Sequence, residues 1–108
     1  MLMEHENCPC METCPLNRAM ALIGGKWKMQ ILCSLYNNGP TRYNQLKKAL
    51  DGVSNTVLAN ALRELEGDGL VHRREDLEVP VRGEYAITEP CRQLIPILDA
   101  LGDWSMAL

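Results

Sequence analysis

The stretch Ser54–Glu66, SNTVLANALRELE, followed by Gly67-Asp68-Gly69, decides the fold of this chain. Ser54 is a residue type that begins helices, because its hydroxyl accepts hydrogen bonds from the free backbone N–H groups of the first turn. At about 100° per residue, the apolar side of the predicted helix carries Val57, Leu58, Ala61, Leu62 and Leu65. The opposite, polar side carries Thr56, Ala59, Asn60 and Arg63, with Asn55 on its flank.

The polar side of this helix has a composition that suits DNA. Asparagine, threonine and arginine hydrogen-bond to base edges in the major groove, and a small alanine permits close approach or contact with a thymine methyl group. An ordinary solvated helix face has a similar composition, so the helix alone leaves both interpretations open. The elements around it are needed to choose between them.

The length and charge of the chain limit what it can be. Its 108 residues suffice for one domain with a modest core. The net charge of −3 gives no overall basic signature for nucleic acid, so any DNA contact must come from local positive charge. Residues 18–48 contain no Asp or Glu and six basic residues, Arg18, Lys26, Lys28, Arg42, Lys47 and Lys48.

The N-terminal residues, MLMEHENCPCMETC, have neither the basic segment nor the apolar run of a signal peptide. No apolar stretch approaches the roughly 20 residues that cross a bilayer. The odd number of cysteines, five, is not typical of a secreted disulfide framework. We therefore expect a cytoplasmic protein without a membrane partner, with residues 1–13 as a flexible arm and residues 14–108 as one domain.

Helical patterns and turns precede the central stretch. A helix is predicted from Pro15 to Ile23 and a second over Lys26–Tyr36, ended by the turn sequence NNGP. A short strand-prone segment, Thr41-Arg42-Tyr43, then leads to Asn44. Asn44 is expected to cap a brief helix through Leu50, with Leu46, Ala49 and Leu50 facing inward. The turn at residues 51–53 then leads into the helix at Ser54, so the spacing predicts a helix-turn-helix.

After the central helix, the strands Leu70–Glu75 and Glu84–Thr88 are predicted to form a hairpin, the wing, around the loop Asp76–Arg82. Thr88 is expected to cap a last helix, which Pro96 should kink. The apolar side of that helix carries Leu94, Ile97, Leu98, Leu101 and Trp104. The predicted fold class is α+β and mainly helical, a winged helix-turn-helix with a two-stranded wing and terminal dimerisation helices.

Several motifs carry a family resemblance. They are Cys14-Pro15, LIGGKW at 22–27, RYNQL at 42–46, LRELE at 62–66 with Gly69-Leu70-Val71, and Val79-Pro80 through Glu84-Tyr85. On these motifs the chain resembles the HxlR family of bacterial transcriptional regulators over residues 14–106. Members of this family are winged-helix proteins related in shape to the MarR group.

The resemblance implies a homodimer that binds a double-stranded DNA operator, with the helix from Ser54 in the major groove and the wing at phosphates or the minor groove. The residues that would face bases are Asn55, Thr56, Ala59, Asn60 and Arg63. The wing would contribute Arg73, Arg74 and Arg82. The short helix that braces the DNA backbone would contribute Arg42, Asn44, Lys47 and Lys48.

The cysteines form a second signal. Cys14 lies at a predicted helix N-terminus, where the helix dipole favours the reactive thiolate. Some members of the family that the chain resembles sense oxidants or electrophiles with a cysteine at this place. This resemblance implies redox sensing by Cys14. Cys8 and Cys10, close by in the N-terminal arm, would then act as resolving thiols. Two alternatives remain open for this region: a Zn²⁺ or Cu(I) site that adds His5, and a buried structural Cys14. Cys33, on a mostly apolar helix, is expected to be buried.

Enzymatic chemistry finds little support in the sequence. The only histidines are His5 and His72, and no serine or cysteine stands in a motif with a base. Gly24-Gly25-Lys26 lacks the preceding strand and the following Ser or Thr of a phosphate-binding loop, so we expect no nucleotide or other cofactor. A protein-interaction adaptor that does not bind DNA is the remaining class, and the basic wing disfavours it.

Overall fold

Five helices and three short strands make up the part of the chain that the structure, a computed structural model, describes: residues 14–75 and 83–108. In chain order they are α1 Pro15–Ile23, α2 Lys26–Asn38, β1 Thr41–Arg42, α3 Tyr43–Ala49, α4 Asn55–Gly67, β2 Val71–Glu75, β3 Gly83–Ile87 and α5 Glu89–Met106. This order confirms the predicted winged helix-turn-helix, and α2 extends two residues further than its expected end at Tyr36.

The turn between α3 and α4 is built as the sequence predicts. Gly52 has a φ of 84°, a conformation that glycine adopts at little cost. The Ser54 hydroxyl accepts a hydrogen bond from the Val57 N–H at 3.1 Å and so caps α4. The turn therefore presents α4 at a fixed angle to α3.

The start of α3 differs from the prediction. The N-cap residue is Arg42 and not Asn44, and the helix begins at Tyr43. The backbone N–H of Arg42 donates to Gln45 Oε1 at 3.3 Å. The Gln45 side chain therefore satisfies a backbone donor at the start of the helix. Asn44 is consequently a helical residue whose side chain is exposed.

The sheet has one strand more than the expected hairpin. Its order is β1-β3-β2, with Thr41 opposite Tyr85 and Val71 opposite Ile87, and both strand pairs are antiparallel. Without β1, the outer edge of β3 would leave backbone N–H and C=O groups unpaired, which explains why the two residues before α3 join the sheet. The predicted loop Asp76–Arg82 lies outside the described residues.

The core consists mainly of leucines from α2, α3 and α4. Among the residues described, those with almost no exposed surface include Ile31, Leu32, Leu35, Leu46, Leu58, Leu62 and Leu65. The buried strip of α4 follows Leu58 at a spacing of three, four and seven residues, and Val57 lies beside this strip. The expected burial of Val57 was wrong, since this residue is 41% exposed. Ala49 of α3 was also expected to face inward and is exposed.

The last helix, α5, packs through one strip and exposes another. The Thr88 hydroxyl accepts from the Cys91 N–H at 3.3 Å and donates to the Gly69 carbonyl at 2.7 Å, so the cap also ties α5 to the turn after α4. Cys91 and Ile95 are buried. The exposed strip of α5 contains Ile97 (62% exposed), Leu101 (50%) and Trp104 (61%), and α1 adds exposed Leu16 and Met20.

Candidate nucleic-acid interface

The polar side of α4 is open to solvent. Asn55, Thr56, Asn60 and Arg63 are exposed, and Ala59 is half-buried between them. Arg63 Nη1 donates a hydrogen bond to Asn60 Oδ1 at 3.0 Å. The helix therefore carries a continuous surface of amide, hydroxyl and guanidinium groups, a composition suited to base edges.

Tyr43 anchors the first turn of α4 to α3. Its hydroxyl donates to the backbone carbonyl of Asn55 at 3.1 Å and lies 3.3 Å from Asn55 Oδ1. The ring of Tyr43 is half-buried and packs against the core. The sequence indicates only that Tyr43 belongs to a strand-prone segment. Its bond to Asn55 spans 12 residues, a separation that helical and strand periodicity do not reveal.

The exposed side of α3 is polar and basic. Asn44, Lys47 and Lys48 line a surface cleft of about 280 Å³. A second cleft, of about 520 Å³, joins the start of α3 to the start of β3 and is lined by Arg42, Tyr43, Asn44, Gln45 and Gly83. The structure thus brings the predicted backbone-bracing residues together and places them next to the wing.

The wing arginines differ in their surroundings. Arg74 lies directly opposite Glu84 of β3. Arg74 Nη2 and Glu84 Oε1 are 3.1 Å apart, and the two side chains form an ion pair at the surface. The Arg73 side chain covers Gly83 so closely that a Cβ atom there would lie 2.9 Å from Arg73 Nη2. Arg82, the third predicted wing residue, lies outside the described residues.

A carboxylate of α4 forms an ion pair with α2. Glu64 Oε2 lies 3.7 Å from Lys28 Nζ, and the Lys28 side chain is mostly buried whereas that of Glu64 is 63% exposed. The ammonium group of Lys28 therefore offsets part of the negative charge of the residue that follows Arg63.

The cysteines only partly match their predictions. Cys14 stands at the N-cap of α1 as expected, and its side chain is 3% exposed. Cys33 is exposed beside Tyr36 and Ile95, so its expected burial was wrong. It lies off the strip that buries Ile31, Leu32 and Leu35. Cys91 is buried, and burial raises the pKa of its thiol, which keeps this thiol protonated at neutral pH.

The predicted sensing and metal residues His5, Cys8 and Cys10 lie outside the described residues. Within residues 14–75 and 83–108, no three His, Cys, Asp or Glu side chains are grouped as a metal site requires. In the same ranges, no helix combines the length and the apolar composition of a membrane span.

The chain combines a helix-turn-helix, formed by α3 and α4, with a three-stranded sheet that contains the wing hairpin, and the exposed side of α4 is polar. These features define a winged helix-turn-helix DNA-binding domain. The comparison with family models agrees, because the HxlR-like helix-turn-helix model matches residues 22–108. The chain belongs to this family of transcriptional regulators.

Individual relatives agree with this assignment. The chain is 40% identical over 93 residues to YdzF of Bacillus subtilis, named an uncharacterized HTH-type transcriptional regulator, covering 86% of this chain and 85% of that protein. It is similar to the oxidised form of the redox regulator HypR, with a TM-score of 0.79, 35% identity and coverage of 88% and 97%. It is also similar to diamide-treated YodB of B. subtilis, with a TM-score of 0.77, 30% identity and coverage of 96% and 97%.

Proposed function

We propose that this protein is a homodimeric, sequence-specific operator-binding regulator that inserts α4 into the major groove. The observation that carries the proposal is the exposed polar side of α4, held by the Ser54 cap and the Tyr43 anchor above a leucine core. Such a helix can present its exposed side chains to base edges in the major groove.

The other polar residues divide into two roles. Asn55, Thr56 and Ala59 flank or complete the base-facing surface of Asn60 and Arg63. Residues of α3 and the wing would contact phosphates, which positions the protein on the duplex without reading sequence. This second group comprises Arg42, Asn44, Lys47, Lys48, Arg73, Arg74 and Arg82.

Removing one phosphate anchor should weaken binding to every sequence alike. Lys47→Ala is expected to lower affinity by a similar factor for operator and random duplexes, and to reduce the salt dependence of log K by about one unit of slope. Fluorescence anisotropy titrations at several salt concentrations measure both quantities. Lys26→Ala makes the same charge change outside α3, α4 and the wing, and should leave the slope unchanged; equal slopes for Lys47→Ala and wild type would refute the anchoring role.

The second part of the proposal is that oxidation at Cys14 changes operator affinity. Two structural relatives, HypR and YodB, were solved in oxidised or diamide-treated forms, which supports a redox response in this chain. Disulfide formation between Cys14 and either Cys8 or Cys10 would release two protons and two electrons to the oxidant. Because Cys14 is 3% exposed, its thiol must become more accessible before it can react.

A serine substitution tests this response. Diamide is expected to lower the operator affinity of the wild type, a reductant should restore it, and Cys14→Ser should be insensitive to both. Cys33→Ser is the matched control, since it removes an exposed thiol and should still respond like the wild type. If oxidant leaves wild-type affinity unchanged, or weakens Cys14→Ser equally, Cys14 is a structural residue.

A further inference from the structure

Asn60 and Arg63 form one hydrogen-bonded unit on the exposed side of α4. Arg63 Nη1 donates to Asn60 Oδ1 at 3.0 Å, three residues along the helix. A guanidinium group has donors and no acceptor, so its partner in this bond can only be the amide oxygen. The bond therefore fixes the orientation of the Asn60 amide and restrains the longer arginine side chain.

The orientation decides which groups the pair offers to DNA. With its oxygen engaged, Asn60 turns its two N–H donors toward other partners, and the guanidinium retains four further donors. An asparagine that reads adenine uses its amide oxygen to accept from the adenine N6 amino group. Here the Arg63 guanidinium takes one of the two acceptor positions of that oxygen, so the donors that the pair offers outnumber its acceptors.

Among the four bases, guanine suits such a surface best. Its major-groove edge offers two acceptors, N7 and O6, whereas thymine offers one, O4, and adenine and cytosine each present an amino donor. Glu64, the carboxylate next in sequence, is held by Lys28 of α2 at 3.7 Å and leaves the guanidinium available. Arginine bound to guanine O6 and N7 uses two donors that point in one direction.

We propose that Arg63 reads a guanine in the operator and that Asn60 is a positioning residue that acts through Arg63. The inference rests on the proposed operator binding and makes it specific. Asn60 holds the guanidinium before DNA arrives, which reduces the side-chain ordering that binding would otherwise require. Both residues then determine preference at the same base pair.

A double-mutant cycle on the full-length protein tests the coupling. Affinities are measured for an operator selected from random duplexes and for variants that change each base pair in turn. Arg63→Ala should lose about 5- to 150-fold of its discrimination at one G·C pair. Asn60→Leu should lose less and at the same pair, and the double variant should be no worse than Arg63→Ala alone.

Three further measurements separate positioning from a merely structural role. Asn60→Asp retains an acceptor for Arg63, so it should keep the guanine preference of the wild type while its added negative charge lowers affinity for all duplexes. Placing 7-deazaguanine at the identified position removes the N7 acceptor, and wild type and Arg63→Ala should then bind more nearly alike. Asn60→Leu should unfold at the wild-type temperature, because Asn60 is exposed.

Three results would overturn the inference. The two single variants could relax preference at different base pairs, their losses of discrimination could add in the double variant, or the base pair whose recognition depends on Asn60 could be A·T. A wild-type protein that binds all duplexes equally would instead refute the operator-binding function itself. The two failures are distinguished by the wild-type titrations, which are measured first.

Discussion

Replacing Leu101 with aspartate is expected to convert the proposed homodimer into monomers and to lower operator affinity by about 100- to 10,000-fold. Leu101 lies in the exposed strip of α5 with Ile97 and Trp104, and all three are at least half exposed in the single chain. Large apolar side chains grouped in this way typically mark an interface. A buried carboxylate without a partner would be strongly unfavourable in it.

The expected loss of affinity follows from the geometry of a two-fold dimer. Its two α4 helices bind half-sites together, so the second contact is intramolecular and gains from a high effective concentration. A monomer retains only one of these contacts. Sedimentation gives the oligomeric state, and anisotropy titration gives the affinity of the same samples.

Arg92→Gln is the matched control for this experiment. It changes the net charge by the same amount, and Arg92 lies on α5 away from the strip, in an exposed pair with Glu89. It should remain dimeric and bind the operator like the wild type. A Leu101→Asp protein that stays dimeric, or a wild type that is monomeric at micromolar concentration, would contradict the role assigned to α5.

Truncating Leu62 to alanine is expected to cost about 2–5 kcal/mol of the free energy of unfolding. Leu62 of α4 is almost completely buried in the leucine core, so alanine would leave a cavity that the helices cannot fully close. Since a domain of this size has about 5–15 kcal/mol in total, the variant should show a much lower denaturation midpoint.

Val57→Ala is the natural comparison, because it also shortens an aliphatic side chain on α4. Val57 is 41% exposed, so its loss should change the free energy of unfolding by less than about 0.5 kcal/mol. Denaturant titrations at one fixed protomer concentration are required, since dimerisation also contributes to stability. Equal destabilisation by both variants would show that the buried strip of α4 has been assigned incorrectly.

Most of the fold could be predicted from the sequence because its signals are local. Ser54 and Thr88 both cap the helices that they were expected to cap, and Gly52 forms the expected turn. These residues act through their own backbone neighbourhood, so their effects are visible without knowledge of distant partners.

The errors occur where distant partners decide the outcome. Val57 and Cys33 lie on helices whose apolar side is wider than the surface that packs against it. Periodicity cannot show which edge of the apolar side stays exposed. The segment around Thr41 and Arg42 was predicted to be strand-prone, but its pairing with β3, which adds a third strand to the hairpin, was not predicted. The Tyr43 anchor likewise requires the turn to bring α3 and α4 together.

The candidate site shows the same division. Helical spacing placed Asn60 and Arg63 on one exposed side, and the structure agrees. The spacing did not reveal that the arginine engages the amide oxygen, because residues three apart on a helix can approach without bonding. The proposed guanine preference is argued from that bond and not from the residue types alone.

Two copies of this chain are proposed to read a symmetric DNA site with their α4 helices. Selection of bound sequences from a pool of random duplexes by the purified, reduced protein tests this proposal. We expect an enriched, two-fold symmetric sequence whose half-site centres are about 10–10.5 base pairs apart or a multiple of that spacing. Recovery of duplexes with no shared sequence, or of a single unrepeated half-site, would refute symmetric reading by two α4 helices.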